Sequence, residues 1–298
     1  MAPLGLDLPG AGAAFGGGAA LRWAMAGALA LSFGGAPLGS LLIARRMSLM
    51  GDALSHGILL GAAAAFLLAG RDPVALTLGA LAAAFGVTAL ASLLARTRKL
   101  PEDAAFAMVY LPALAGAAAL MSRREGPEAL EALLFGAAGA LDRGGLILAA
   151  AVASASLIGL ALFIRGFVAE SVDPGFTGSE GAGGRLHLLL MMLVALNLVA
   201  GFRAFGALMT VALMMIPAGA ARFWARGYAG QAGAAIVISA LASEAGLLLA
   251  ARSGIEPGAV MTLCAAALFA ASGLAGLNGG LIVTLAGRRR LAGRALVP

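Results

Sequence analysis

The sequence predicts an all-α integral membrane protein, a polytopic bundle of about eight or nine transmembrane helices with one short re-entrant or interfacial segment. Three observations carry that expectation. Apolar residues make up 61% of the 298 and charged residues only 11%, whereas soluble domains hold ~45–50% apolar and ~25% charged residues. Mean hydropathy is +0.99. Apolar runs recur at lengths near the ~20 residues that a helix needs to cross a hydrocarbon core ~30 Å thick.

Taken in order, residues 19–43 form the first run. Ala36-Pro37-Leu38-Gly39 interrupts it and is expected to kink or break the helix, because proline lacks the backbone donor and clashes with the preceding turn. Residues 51–70 form the second run, 74–95 the third and 103–121 the fourth, which contains Pro112. Ala129 to Leu141 is apolar but too short to span, and Glu128, Glu131, Asp142 and Arg143 flank it, so it reads as re-entrant or interfacial. Residues 145–164 form the fifth run. Arg165 to Arg185, with Glu170, Asp173, Pro174 and Glu180 among several glycines, reads as an aqueous loop. Residues 186–202 and 204–221 are separated by little more than Arg203. The count is nine if each of them crosses, and eight if 186–221 is one crossing plus a half-helix. Residues 229–251 and 258–278 complete the set.

The chain thus divides into an N-terminal tail (1–18, expected outside the cytoplasm), a transmembrane domain (19–278) and a basic cytoplasmic tail (279–298) carrying Arg288-Arg289-Arg290. If the Arg45-Arg46 turn is cytoplasmic and the spans alternate, thirteen basic residues fall inside and seven outside, the bias expected of inner loops. The first basic residue is Arg22, so the start lacks the positive region of a cleaved signal peptide. The net charge of +6 then serves anionic headgroups. A nucleic-acid partner is excluded, since it calls for a basic face on a soluble domain. Cys264 is the single cysteine, which leaves no intrachain disulfide and no cysteine-based metal site.

The stretch from Arg45 to Gly61 places an acid and an imidazole inside this apolar sequence. An ionisable side chain at membrane depth costs at least ~2.5 kcal/mol and is by default a functional-site hypothesis. Asp52 and His56 are spaced i, i+4, which stacks them on one helix face. Counted from Arg46 at 1.5 Å per residue, they lie roughly 9 and 15 Å into the slab. One reading is a hydrogen-bonded pair that ties helices together. The other is a transient metal site on a transport path, since carboxylate oxygen and imidazole nitrogen suit Zn²⁺ or Mn²⁺. Two ligands from one helix are too few to trap an ion, which suits conduction. A second copy, or Ser55 and water, would complete the shell.

Other polar residues in the runs carry weaker signals. His187, at an interface, reads as a snorkelling residue in preference to a ligand. Met209, Met214 and Met215 offer soft sulfur but read as packing. Glu244 must face protein or water, and a structural hydrogen bond is favoured over a part in ion passage. The sole lysine, Lys99, follows Arg98, so no Walker A loop exists and the chain cannot hydrolyse ATP by that route. Pro217 to Gly230, with Arg222, Trp224 and Arg226, fits a break followed by an exposed amphipathic turn of the kind that docks a cytoplasmic partner subunit. An interfacial anchor is the equal alternative.

These residues carry a resemblance. Arg45 to Gly61, preceded by Ala36-Pro37-Leu38-Gly39-Ser40, resembles the signature of the zinc and manganese permease subunits of ABC importers, in which a Gly-Asp-x-x-x-His run opens the second span. Glu131 to Gly136 is similar to that family's Leu-Phe-Gly segment, and Leu188 to Met191 to the leucine-rich start of a later span. Phe205 to Arg222 resembles its Val-Gly-Ala-Leu … Ile-Pro-Ala-Ala-x-Ala-Arg stretch. The resemblance covers about residues 20–278.

It implies a permease of a bacterial cell (inner) membrane that works as a homodimer and is not itself an enzyme. Cytoplasmic ATP-binding subunits power it and an extracytoplasmic metal-binding protein feeds it. Asp52 and His56 match the metal-contacting positions. No permanently bound cofactor is implied, only the transported divalent ion. Zinc is the first choice, because affinity favours it over manganese, with Mn²⁺ or Fe²⁺ behind it. Leu59-Leu60-Gly61 looks like zinc members and Ser48 to Ala53 also like manganese ones. The alternatives are an ABC permease for a larger metal chelate and a membrane-embedded metalloenzyme. The latter would need a third protein ligand and a general base.

Overall fold

Runs dominated by alanine, leucine and glycine fold here as helices, because a chain in lipid must satisfy every backbone donor and acceptor within itself. The computed structural model describes residues 18–70, 72–96, 102–122, 141–172 and 182–284. Among these residues it has nine helices of fifteen residues or more: α1 (Gly18–Ala44), α2 (Met50–Ala69), α3 (Pro73–Arg96), α4 (Glu102–Ser122), α5 (Arg143–Val172), α6 (Ala182–Phe205), α7 (Ala207–Ala221), α8 (Tyr228–Ser253) and α9 (Pro257–Ala275). Among the described residues there is no strand. Eight of the nine are long and apolar enough to cross a membrane, and α7 is the short one.

The doubtful stretch 186–221 resolves into α6 and α7, joined at Gly206 with φ +88°. That left-handed angle is why glycine stands at the corner. Gly201 of α6 lies against Thr210 of α7, so the two run back to back. At 15 residues α7 extends ~22 Å, short of the full slab. The re-entrant segment expected at Ala129–Leu141 lies outside the described residues except for Leu141, and so do most of the two terminal tails.

Two expectations are corrected. Pro37, Pro112 and Pro217 lie inside α1, α4 and α7 and break none of them. Pro217 is buried, and α7 runs on to Ala221. In membrane bundles neighbouring helices re-satisfy the backbone groups that proline frees. The expected aqueous loop at Arg165–Arg185 is also shorter, because α5 continues to Val172 and α6 begins at Ala182. Arg165 and Glu170 ride on that extension of α5.

Packing falls into two lobes. Helices α2, α3 and α4 enclose one core with α6, around Leu54, Ile58, Phe106 and Leu190. Helices α1, α7, α8 and α9 build the other with α5 and α6, around Leu21, Phe205, Leu247 and Met261. Some buried polar side chains pair across helices: Asn197 Nδ2 donates to Ser156 Oγ at 2.6 Å, and within its own helix to the Leu193 carbonyl at 2.9 Å, and Ser239 Oγ meets Ser32 Oγ at 3.0 Å. Ion pairs mark the two ends of the bundle. Arg45, just past α1, meets Glu170 near the end of α5. At the opposite end Arg203 of α6 reaches Thr77 near the start of α3 and Asp142 at the start of α5. This is the up-and-down alternation that the loop charges require.

Candidate metal site

The site is built on the first two turns of α2. Asp52 is the third residue of that helix, where the positive end of the helix dipole favours a carboxylate. His56 follows one turn later, and its Nε2 stands 3.4 Å from Asp52 Oδ1. The His56 side chain is 22% exposed and the Asp52 side chain 49%. The structure therefore brings the two predicted ligands together on one face. Ser55 turns away from that face: it is buried, and its hydroxyl donates to the Asp52 carbonyl at 2.7 Å.

Close helix packing sets this orientation. Gly51 lies against Met214 and Met215 of α7, and a β-carbon at Gly57 would stand 2.8 Å from Val87 of α3. The two glycines flanking the pair bring α7 and α3 onto the sides of α2, while the Asp52 side chain stays half open. Met214, whose side-chain end lies against Gly51, also presses its carbonyl on Gly39 of α1.

Tyr110 of α4 covers His56, with ring centroids 5.8 Å apart and planes 27° apart. The imidazole Nδ1 is buried without a hydrogen-bond partner among the described residues. One turn beyond His56, Leu60 lines two apolar cavities on the α2–α3–α4 face. One, of about 540 Å³, includes Gly61, Leu68 and Leu78, and the other, of about 350 Å³, includes Val87, Leu90 and Pro112. The described residues hold no cluster of three or more His, Cys, Asp and Glu side chains. As it stands, the site offers two ligands on an otherwise apolar face.

The remaining candidates lie elsewhere. Arg222, Trp224 and Arg226 are exposed on the turn between α7 and α8, while Phe223 points inward. That turn is pinned to the end of α9: Trp224 Nε1 donates to Ser272 Oγ at 2.9 Å, Arg226 Nε to Asn278 Oδ1 at 3.0 Å, and the Asn278 amide to the Phe223 carbonyl at 2.8 Å. Pro217 stands apart from it, buried in α7. His187 sits half-buried in the second turn of α6. Met209 and Met214 are core residues, as read. Glu244 lies in α8 with Oε1 buried and no hydrogen-bond partner for that atom among the described residues, so the hydrogen bond expected of it is not made there. Sequence reasoning missed Tyr110, although it is one of only two tyrosines, and the Arg45–Glu170 pair, whose members stand far apart in the chain.

The profile of the ABC 3 transport family matches residues 19–275. The chain belongs to this family. As an ABC 3 permease it is a transport subunit and a multi-pass protein of the inner membrane. The manganese transport system membrane protein MntC of Bacillus subtilis is 31% identical over 83% of this permease, although the match spans only 59% of MntC. The zinc transport system membrane protein TroC of Treponema pallidum is 29% identical over 89% of the permease and 92% of TroC. Among solved structures, PsaBC from Streptococcus pneumoniae in complex with Fab superposes with a TM-score of 0.76 at 25% identity, covering 88% of the permease and 93% of that chain.

Proposed function

We propose that this permease carries a divalent metal ion into the cytoplasm, with Asp52 and His56 as its ligands and a second copy of the chain completing the shell. The observation that carries the reading is the pair itself, 3.4 Å apart on one face of a membrane helix whose other faces are packed. Relatives named for manganese and for zinc both match, so the names leave the choice between those ions open. Affinity of carboxylate and imidazole favours Zn²⁺. ATP-binding subunits on the cytoplasmic side supply the energy, and an extracytoplasmic metal-binding protein delivers the ion. The Arg222–Trp224–Arg226 turn, rigid and exposed, is an ATPase-facing element, and the tail 279–298 lies on the same side.

Asp52→Ala and His56→Ala, expressed in cells without other importers, are expected to abolish uptake of radioactive zinc or manganese while the protein still reaches the membrane. Uptake at the wild-type rate by both variants refutes the ligand role. Competition among Zn²⁺, Mn²⁺ and Fe²⁺ in the same cells identifies the cargo.

A further inference from the structure

We infer that the buried ion pair between Arg45 and Glu170 is the contact through which the cytoplasmic end of α5 sets the position of the helix bearing Asp52 and His56. Arg45 Nη2 stands 2.8 Å from Glu170 Oε2 and donates to the Phe167 carbonyl at 3.3 Å, while Nε donates to Ser171 Oγ at 3.2 Å. The two charged side chains are 6% and 10% exposed. One guanidinium thus grips the last turns of α5, where a cation is also favoured by the helix dipole.

The other side of this contact is short and stiff. From Arg45 the chain enters α2 through a turn with no slack: Met47 N donates to the Leu42 carbonyl at 2.9 Å, Met50 N to Met47 at 3.2 Å and Ala53 N to Leu49 at 3.0 Å. Met47 and Met50 are buried in the core, and Arg46 holds a left-handed φ of +61°. Seven residues after the guanidinium comes Asp52. A displacement of the α5 terminus therefore reaches the site helix without being absorbed on the way. From Val172 the chain continues into the stretch assigned to the cytoplasmic side, where ATP-binding subunits stand.

Stability alone is a poor reason for this pair, since well-packed apolar residues commonly replace a buried ion pair at no loss. What a fork held by three acceptors adds is a fixed geometry. Arg45 and Glu170 are accordingly positioning residues, and this role rests on the reading of α2 as the ion-holding helix.

The test uses the full transporter, permease and ATP-binding subunits together, in proteoliposomes loaded from outside with Zn²⁺ or Mn²⁺. Metal uptake and ATP hydrolysis are measured on the same preparation for wild type, Arg45→Lys, Glu170→Gln and the exchange Arg45→Glu/Glu170→Arg, with the thermal midpoint of each. Arg45→Lys and Glu170→Gln are expected to keep hydrolysing ATP but to move on the order of tenfold less metal per ATP, within the ~5- to 150-fold span of site-to-site coupling. The exchange recovers part of that ratio. An unchanged ratio in both single variants overturns the inference, as does a fall of uptake and hydrolysis together with the midpoint. Asp52→Ala in parallel separates the two ideas. Metal uptake by that variant refutes the ligand role of α2, whereas an unchanged ratio in Glu170→Gln refutes the clamp.

Discussion

Replacing Gly61 by alanine tests whether close approach of α3 is what orients the site helix. A β-carbon there would run into the Gly79 carbonyl oxygen, and would stand 2.7 Å from the Gly79 carbonyl carbon and 2.5 Å from the Ala83 β-carbon. Ordinary contact lies at ~3.5–4.0 Å, so the shortfall at Ala83 is about 1 Å. None of the three blocking atoms can rotate away, since two are backbone and the third is a β-carbon. The helices α2 and α3 must therefore part by about that amount. A gap of ~0.5–1 Å forfeits a quarter to a half of each facing contact, and overpacking of this kind costs about 1–3 kcal/mol. For a chain of this size 1 kcal/mol is worth roughly 2 °C, so the thermal midpoint of the purified permease in detergent is expected to fall by about 2–6 °C. Gly233→Ala in α8 is the control. Nothing lies within 4 Å of its would-be β-carbon, and alanine gains ~0.5–1 kcal/mol over glycine in a helix interior, so its midpoint is expected to rise slightly. A Gly61→Ala midpoint equal to wild type, or a Gly233→Ala loss as large as that of Gly61→Ala, refutes the reasoning.

The other expected outcomes are these. Tyr110→Leu removes the ring stacked on His56; aromatic pairs contribute ~0.5–1.5 kcal/mol, so the KM for metal uptake is expected to rise about two- to tenfold, with Tyr110→Phe unchanged, and an unaltered KM in Tyr110→Leu removes the ring from the site. Asn197→Ala deletes the donor to Ser156 and Leu193 in a fully packed position, and since interhelical hydrogen bonds in membranes average ~0.6 kcal/mol with a ceiling near ~1.7, the unfolding midpoint should drop by about 1–3 °C, more than for Ser154→Ala on the exposed surface. Glu256, exposed in the loop before α9, has its carboxyl raised slightly above the usual range by partial desolvation. A raised acid stabilises below its unfolded value and loses that contribution as pH climbs through the folded one, so Glu256→Gln is expected to match wild type in acid and to exceed it near pH 8 in thermal melts at the two pH values.

Eight of the nine helices could be read in the sequence because length and apolarity alone specify a membrane span, and those two properties are local. Asp52 and His56 were legible for the same reason, since a helical i, i+4 spacing is a property of one segment. The misreadings came from local rules that a bundle overrides. Pro37 and Pro217 break isolated helices, yet here both sit buried inside continuous helices, where packing against neighbours holds the turn that proline weakens. Arg165 and Glu170 read as loop residues because they are charged, and Glu170 is buried only because Arg45 arrives from the end of α1. Tyr110 could not be matched to His56 without knowing that α4 packs on α2.

The exposure of Asp52 sets a requirement of its own. A carboxylate half open at membrane depth cannot rest against hydrocarbon without a penalty of several kcal/mol, so that face has to meet water or protein. The cavities beside Leu60 are lined by Gly61, Ala64, Ala83, Pro112 and Leu residues, a surface of small side chains on which another helix can come close. If a second copy meets this face, two carboxylates and two imidazoles converge on one axis. Four ligands of oxygen and nitrogen fill the tetrahedral shell of Zn²⁺, whereas Mn²⁺, which favours more oxygen donors and a larger shell, would keep water. The requirement can be checked with one variant: Asp52→Asn removes the charge while keeping size and an oxygen. Two such changes per dimer leave two imidazoles and two neutral amides, so Zn²⁺ uptake should suffer less than Mn²⁺ uptake. Equal losses for the two ions would mean that the carboxylate serves both cargoes alike.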